Sequence, residues 1–206
     1  MTRLILARHG NTFRPEENPV WVGARTDLPL VAKGIAQAHT LGSALRQAKV
    51  ILDDILSGPL QRTAETARIV AETLNLNASC VRIDNRLTEI DYGLWEGLST
   101  TEIEDAGGGP ELAAWNNKSI FPASPQWTPQ ENELFASIRS FLSDIRDETT
   151  LAITSNGILR FFARLAKNCD SMTDYKVSTG NICVMERGDG NWRIEHWNQL
   201  PDILKE

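Results

Sequence analysis

Short apolar runs that end abruptly in small polar and charged residues recur along this chain. Residues 4–7, Leu-Ile-Leu-Ala, read as a buried strand that stops at Arg8-His9-Gly10. Residues 50–57 read as a second strand ending in Ser57-Gly58-Pro59, and residues 80–83 as a short third. A further strand over 151–155 again ends in a polar pair and a glycine, Ser155-Asn156-Gly157. Between these runs the apolar spacing changes from two to three or four, which predicts helices over 32–46, 62–74, 131–146 and 158–166. Residues 182–186 and 192–197 predict a hairpin about Gly188-Asp189-Gly190. Alternating strands and helices imply one three-layer α/β/α domain over residues 1–206, with a mostly parallel sheet and helices on both faces.

Two stretches break the alternation. Residues 11–30 are rich in Pro, Asn, Gly and Asp and read as a loop. Residues 99–130 carry Gly107-Gly108-Gly109-Pro110, Pro122, Pro125, Pro129, Trp115 and Trp127, and read as a small cap inserted over one end of the sheet. The three glycines follow no strand, so they predict a flexible turn rather than a nucleotide-binding loop.

Composition narrows the function. The 206 residues suffice to bury a core without disulfides or metals. A net charge of −6 argues against nucleic acid as a partner, which needs a broad basic surface. Cys80, Cys169 and Cys183 have neither disulfide-framework nor metal-ligand spacing, so a reducing cytoplasm is expected and no metal is called. No apolar stretch reaches the length of a membrane span. No heptad pattern fixes an oligomeric state. The tryptophans read as core and cap packing rather than a base-stacking surface.

The chemistry concentrates where the first strand ends. Open α/β sheets bind ligands at the carboxyl ends of their strands. A guanidinium beside an imidazole there points to an anion, most naturally phosphate. The segments that follow sharpen this: Gly23-Ala24-Arg25-Thr26-Asp27-Leu28-Pro29-Leu30, then Lys33-Gly34 with Gln37-Ala38, then Ser57-Gly58-Pro59-Leu60-Gln61-Arg62-Thr63-Ala64-Glu65-Thr66-Ala67, then Leu87-Thr88-Glu89-Ile90-Asp91-Tyr92-Gly93-Leu94-Trp95-Glu96-Gly97. In that order, over residues 3–98 and again over 151–186, the chain resembles the histidine phosphatase superfamily, with its phosphoglycerate mutase-like fold.

The resemblance implies that His9 is a nucleophile that becomes a phosphohistidine, with Arg8 and Arg62 clamping the phosphate. Neighbouring guanidiniums would keep the imidazole neutral, and a backbone carbonyl would fix its tautomer. Glu89 matches the family's acid/base glutamate, with Asp91 and Glu96 as competing carboxylates nearby. Asn11 and Thr12 could offer neutral hydrogen bonds to the oxyanion, although a glutamate is frequent at the position of Asn11. The largest departure is Asn156, where the family usually carries a second phosphate-binding histidine. His39 and His196 lie in a helix and in the last strand, and neither reads as its replacement.

The expectation is metal-independent hydrolysis of a small phosphorylated metabolite, without a cofactor, with substrate or inorganic phosphate as the partner. The tract at residues 92–97 favours the phosphatase branch over the cofactor-dependent mutases. A cofactor-dependent mutase is the runner-up among enzymes, and a phosphate-binding protein that has lost catalysis through Asn156 is the alternative from another class.

Overall fold

In the computed structural model, which describes residues 2–123, 126–146, 149–169, 172 and 174–205, a six-stranded sheet carries helices on both faces. Pro125 lies outside the described residues. In chain order the elements are β1 (Thr2–Arg8), α1 (Ala32–Gln47), β2 (Asp54–Ser57), α2 (Gln61–Thr73), β3 (Val81–Ile83), α3 (Thr100–Ile103), α4 (Gly109–Lys118), α5 (Glu131–Asp144), β4 (Thr149–Thr154), α6 (Asn156–Leu165), β5 (Ile182–Gly188) and β6 (Asn191–Gln199). The sheet order is β3-β2-β4-β1-β5-β6. β3, β2, β4 and β1 pair in parallel, while β5 and β6 add an antiparallel hairpin at the β1 side.

The period of two along β1 explains the layers. Leu4 and Leu6 face one core, shared with Trp115, Phe141, Phe161 and Phe162 of α4, α5 and α6. Ile5 and Ala7 face the other, shared with Leu41 and Leu45 of α1 and Val70 and Ala71 of α2. Both faces of the strand are covered, which is why it reads as a continuous apolar run.

β1 and β4 are adjacent and parallel, yet the helices that follow them, α1 and α6, pack on opposite faces. The chain therefore parts at their carboxyl ends and opens a crevice there. The His9 N–H still donates to the Thr154 carbonyl at 3.0 Å, so the strand pairing holds the residue at the crevice floor.

Two local readings are corrected. The second strand spans only Asp54–Ser57; just before it, the Asp53 carboxylate accepts from the Thr149 N–H at the start of β4. The 107–109 glycines do not form a free turn. Residues 104–108 continue α3 as a wide helical turn, Gly107 bends the chain at φ +88°, and Pro110 sits in the first turn of α4.

Behind the crevice Trp21, Tyr92, Trp95, Trp115 and Phe121 all contact Trp127, most of them edge to face, with ring centroids 4.8–6.2 Å from it. Asp91 and Thr128 exchange two backbone hydrogen bonds, tying this aromatic segment to the stretch that carries Glu89.

Candidate active site

Arg8, His9, Asn11, Thr12, Arg62, Glu89 and Asn156 all line one cavity of about 290 Å³ at the carboxyl ends of β1 and β4. His39 and His196 do not line it. His39 is exposed on α1 against Thr73, and His196 lies in β6.

His9 is 6% exposed. Its Nδ1 lies 2.7 Å from the Gly10 carbonyl oxygen, which can only accept, so the proton sits on Nδ1 and Nε2 keeps its lone pair. Burial, and then the charges of Arg8 and Arg62, hold its pKa well below the usual histidine range. Gly10 is required here: a Cβ would collide with the Gly34 backbone of α1.

Arg62 enters from the first turn of α2 and is 1% exposed. Its two terminal nitrogens donate to the carbonyls of Thr26 (2.8 Å) and Gly23 (3.1 Å), which aims the guanidinium without neutralising it. Arg8 donates to the Val177 carbonyl at 2.6 Å, and its Nε is buried without an acceptor. Burial lowers the pKa of both arginines, with Glu89 opposing. They remain charged, because a guanidinium does not deprotonate in a protein.

The three carboxylates of the 89–96 stretch separate cleanly. Asp91 pairs with Arg25 at 3.0 Å. Glu96 pairs with Arg25 at 3.4 Å and accepts from the Thr26 hydroxyl at 2.6 Å. Only Glu89 of the three lines the cavity. It accepts from the backbone N–H groups of Ile90 (2.9 Å) and Gly157 (3.2 Å). Burial pushes its pKa up against those hydrogen bonds and against Arg62 and Arg8. Gly157 is glycine because a Cβ would overlap Glu89 Oε1 and lie 2.5 Å from the Tyr92 hydroxyl.

Asn156 begins α6 and points its amide oxygen at the Val177 N–H, 2.8 Å away. That bond leaves the amide NH2 as a neutral donor for the cavity. Asn11 is less available, since its amide nitrogen donates to the Phe13 carbonyl at 2.7 Å within its own loop. Thr12 is at the wall.

Several residues at the site were given no role from sequence. Gln37 joins two loops of the rim, accepting from Asn11 N–H and donating to the Thr179 carbonyl. Tyr92, Arg160 and Lys176 also line the cavity. Arg160 follows Asn156 by four residues and so shares its helix face, the one sequence signal that could have marked it. Among the described residues no group of His, Cys, Asp and Glu side chains could hold a metal ion. No helix among them is long and apolar enough to cross a membrane.

Residues 4–200 match the model of the histidine phosphatase superfamily (branch 1). The chain belongs to that superfamily, a family of enzymes. Among relatives of this superfamily member, it is 28% identical over 210 residues to the 2,3-bisphosphoglycerate-dependent phosphoglycerate mutase of Elusimicrobium minutum, covering 100% of this chain and 77% of that one. The mutase of Bifidobacterium longum is 30% identical over 131 residues, 63% of this chain and only 51% of its own length. The histidine phosphatase fold is equally clear in solved structures. A mycobacterial glucosyl-3-phosphoglycerate phosphatase in complex with inorganic phosphate aligns with TM-score 0.77 at 22% identity, covering 98% of this chain and 99% of that one. The phosphoglycerate mutase of Bacillus anthracis aligns with TM-score 0.78 at 21% identity, covering 99% and 96% of the two chains.

Proposed function

We propose that this protein hydrolyses a phosphomonoester through a phosphohistidine on His9. The observation that carries the reading is the state of His9: an imidazole kept neutral by burial, with Nδ1 tied to a carbonyl and Nε2 free, between two guanidiniums whose charge no carboxylate among the described residues cancels by direct contact. In the first half-reaction Nε2 attacks phosphorus and the N–P bond forms as the ester P–O bond breaks. Arg8 and Arg62 balance the charge on the phosphoryl oxygens, and the Asn156 amide adds a neutral hydrogen bond. Glu89, protonated, gives its proton to the leaving oxygen. In the second, water attacks phosphorus, the Glu89 carboxylate takes its proton, and the N–P bond breaks to release inorganic phosphate and neutral His9.

Residues 99–130 act in this reading as a cap that selects the leaving group, since Thr100, Trp115 and Asn116 supply part of the wall. A mutase reading is favoured by the match to the Elusimicrobium minutum enzyme along the whole chain. It differs only in the acceptor, a second hydroxyl in place of water.

The test is turnover of p-nitrophenyl phosphate and a panel of phosphorylated metabolites without added metal. Phosphate release that is lost in His9→Ala supports the proposal. No turnover of any ester, with inorganic phosphate still bound, would instead establish a non-catalytic binding protein.

A further inference from the structure

Arg160 is 1% exposed, yet it makes no ion pair among the described residues. Other arginines that pack against these helices are matched: Arg86 with Asp84 and Asp144, Arg164 with Glu131. Arg160 is held by neutral groups instead. Its Nη1 donates to the Trp115 carbonyl at 2.6 Å and the Ser119 hydroxyl at 2.8 Å, and its plane covers the Trp115 ring at 4.7 Å. Its Nε is buried with no acceptor among the described residues. A buried cation without a counter-charge is costly, and a bound anion removes that cost.

A second cation lines the same cavity. Val177 is pinned from two sides, its N–H by Asn156 and its carbonyl by Arg8, and this sets the preceding residue, Lys176, at the cavity wall. Lys176 is exposed and its ammonium has no carboxylate partner among the described residues. Asp174, the acidic neighbour among the described residues of this loop, accepts from the Lys176 backbone N–H and acts on Arg160 only at a distance. Glu89 and the Tyr92 hydroxyl are the other groups that face Arg160.

These cations are distinct from the pair at His9. Arg62 is anchored to the 23–26 loop, whereas Arg160 is anchored to α4 and the residue that follows it. The field at His9 comes from Arg8 and Arg62, while Arg160 acts on Arg8.

We infer that Arg160 and Lys176 form a second anion subsite, so that the ligand is a small phosphomonoester bearing a further oxyanion, a carboxylate or a second phosphate. The inference rests on the proposed function for its first, phosphate-binding pole. An uncharged alcohol as leaving group would leave Arg160 unpaired, and is disfavoured.

Calorimetric titration at low ionic strength tests this without requiring turnover. The probes are inorganic phosphate, glycerol phosphate, phosphoglycolate and ethylene glycol bisphosphate. One or both of the last two are expected to bind at least about tenfold more tightly than glycerol phosphate, as a charge-assisted pair allows. Whichever binds more tightly identifies the second oxyanion. The preference should fall about threefold or more in Lys176→Ala, whose side chain is at the rim, and vanish in Arg160→Gln. A wild-type preference below twofold overturns the inference. So does a preference that survives Arg160→Gln, or that survives Lys176→Ala should the buried variant fail to fold. Failure to bind inorganic phosphate, with the two-anion probes still bound, would refute the His9 pole and leave the subsite standing.

Discussion

Replacing Gly157 with alanine would probe the acid/base carboxylate without touching it. A Cβ at this position overlaps Glu89 Oε1 and comes within 2.5 Å of the Tyr92 hydroxyl and 3.0 Å of Ile90 Cδ1. Real contacts of this kind lie near 3.4 Å, so something must move by about 1 Å. Glu89 is 5% exposed and tied to two backbone N–H groups, so it can move only toward the cavity it lines, out of those hydrogen bonds. Overpacking costs about 1–3 kcal/mol, and the better helix propensity of alanine returns up to about 1 kcal/mol. The net loss of about 0–3 kcal/mol leaves the chain folded. A 1 Å misplacement of a catalytic group costs about a hundredfold in rate. That loss should depend on the leaving group. Alkyl phosphates need a proton on the departing oxygen, whereas p-nitrophenolate leaves without one. We therefore expect Gly157→Ala to lose about a hundredfold on an alkyl phosphate and far less on p-nitrophenyl phosphate, with kcat rather than KM affected. A folded variant that loses both substrates equally, or neither, would refute Glu89 as the proton donor.

Asn156→His should increase turnover. With phosphate bound, the imidazolium form would donate a charge-assisted hydrogen bond from Nε2, giving up the acceptor that the amide oxygen offers Val177 N–H. Exchanging a neutral for a charge-assisted hydrogen bond is worth about 1–2 kcal/mol, or about ten- to thirtyfold in kcat; an unchanged or lower rate would show that the pocket is adapted to the amide. The pH profile of kcat/KM should peak on the acid side. His9 acts neutral and its depressed pKa puts the acid limb below the ordinary histidine range, while Glu89 acts protonated and its raised pKa carries activity above the ordinary carboxylate range before it falls toward alkaline pH. Glu89→Gln should remove the alkaline limb along with most of the activity on alkyl esters. Trp127→Ala removes the hub of the aromatic cluster and should cost about 3–5 kcal/mol of stability in chemical denaturation.

Much of the fold is visible in the sequence because it is local. Apolar runs that stop at Arg8, Ser57 and Thr154 mark three parallel strand ends, and the change of period marks the helices between them. The 107–109 glycines read as a flexible turn because three glycines signal flexibility locally, while the wide helical turn over 104–108 depends on Ile103 and Trp95 packing against Gly108. At the site, the competition among Glu89, Asp91 and Glu96 could not be decided from neighbouring residues. Arg25, more than sixty positions away, decides it by taking two of them. Lys176 was hidden for the same reason, since it owes its place to a loop pinned between Asn156 and Arg8. The spacing from Asn156 could have put Arg160 on the same helix face, but its anchoring to α4 leaves no trace in sequence spacing.

The central claim is that His9 becomes phosphorylated. Rapid acid-free quenching of the enzyme with p-nitrophenyl phosphate labelled at phosphorus, followed by peptide mapping, tests it most directly. The account predicts a label that is stable to base, labile to acid, carried on the His9 peptide and absent from His9→Ala. Label on any other residue, or a burst of p-nitrophenol with no labelled protein, would contradict it.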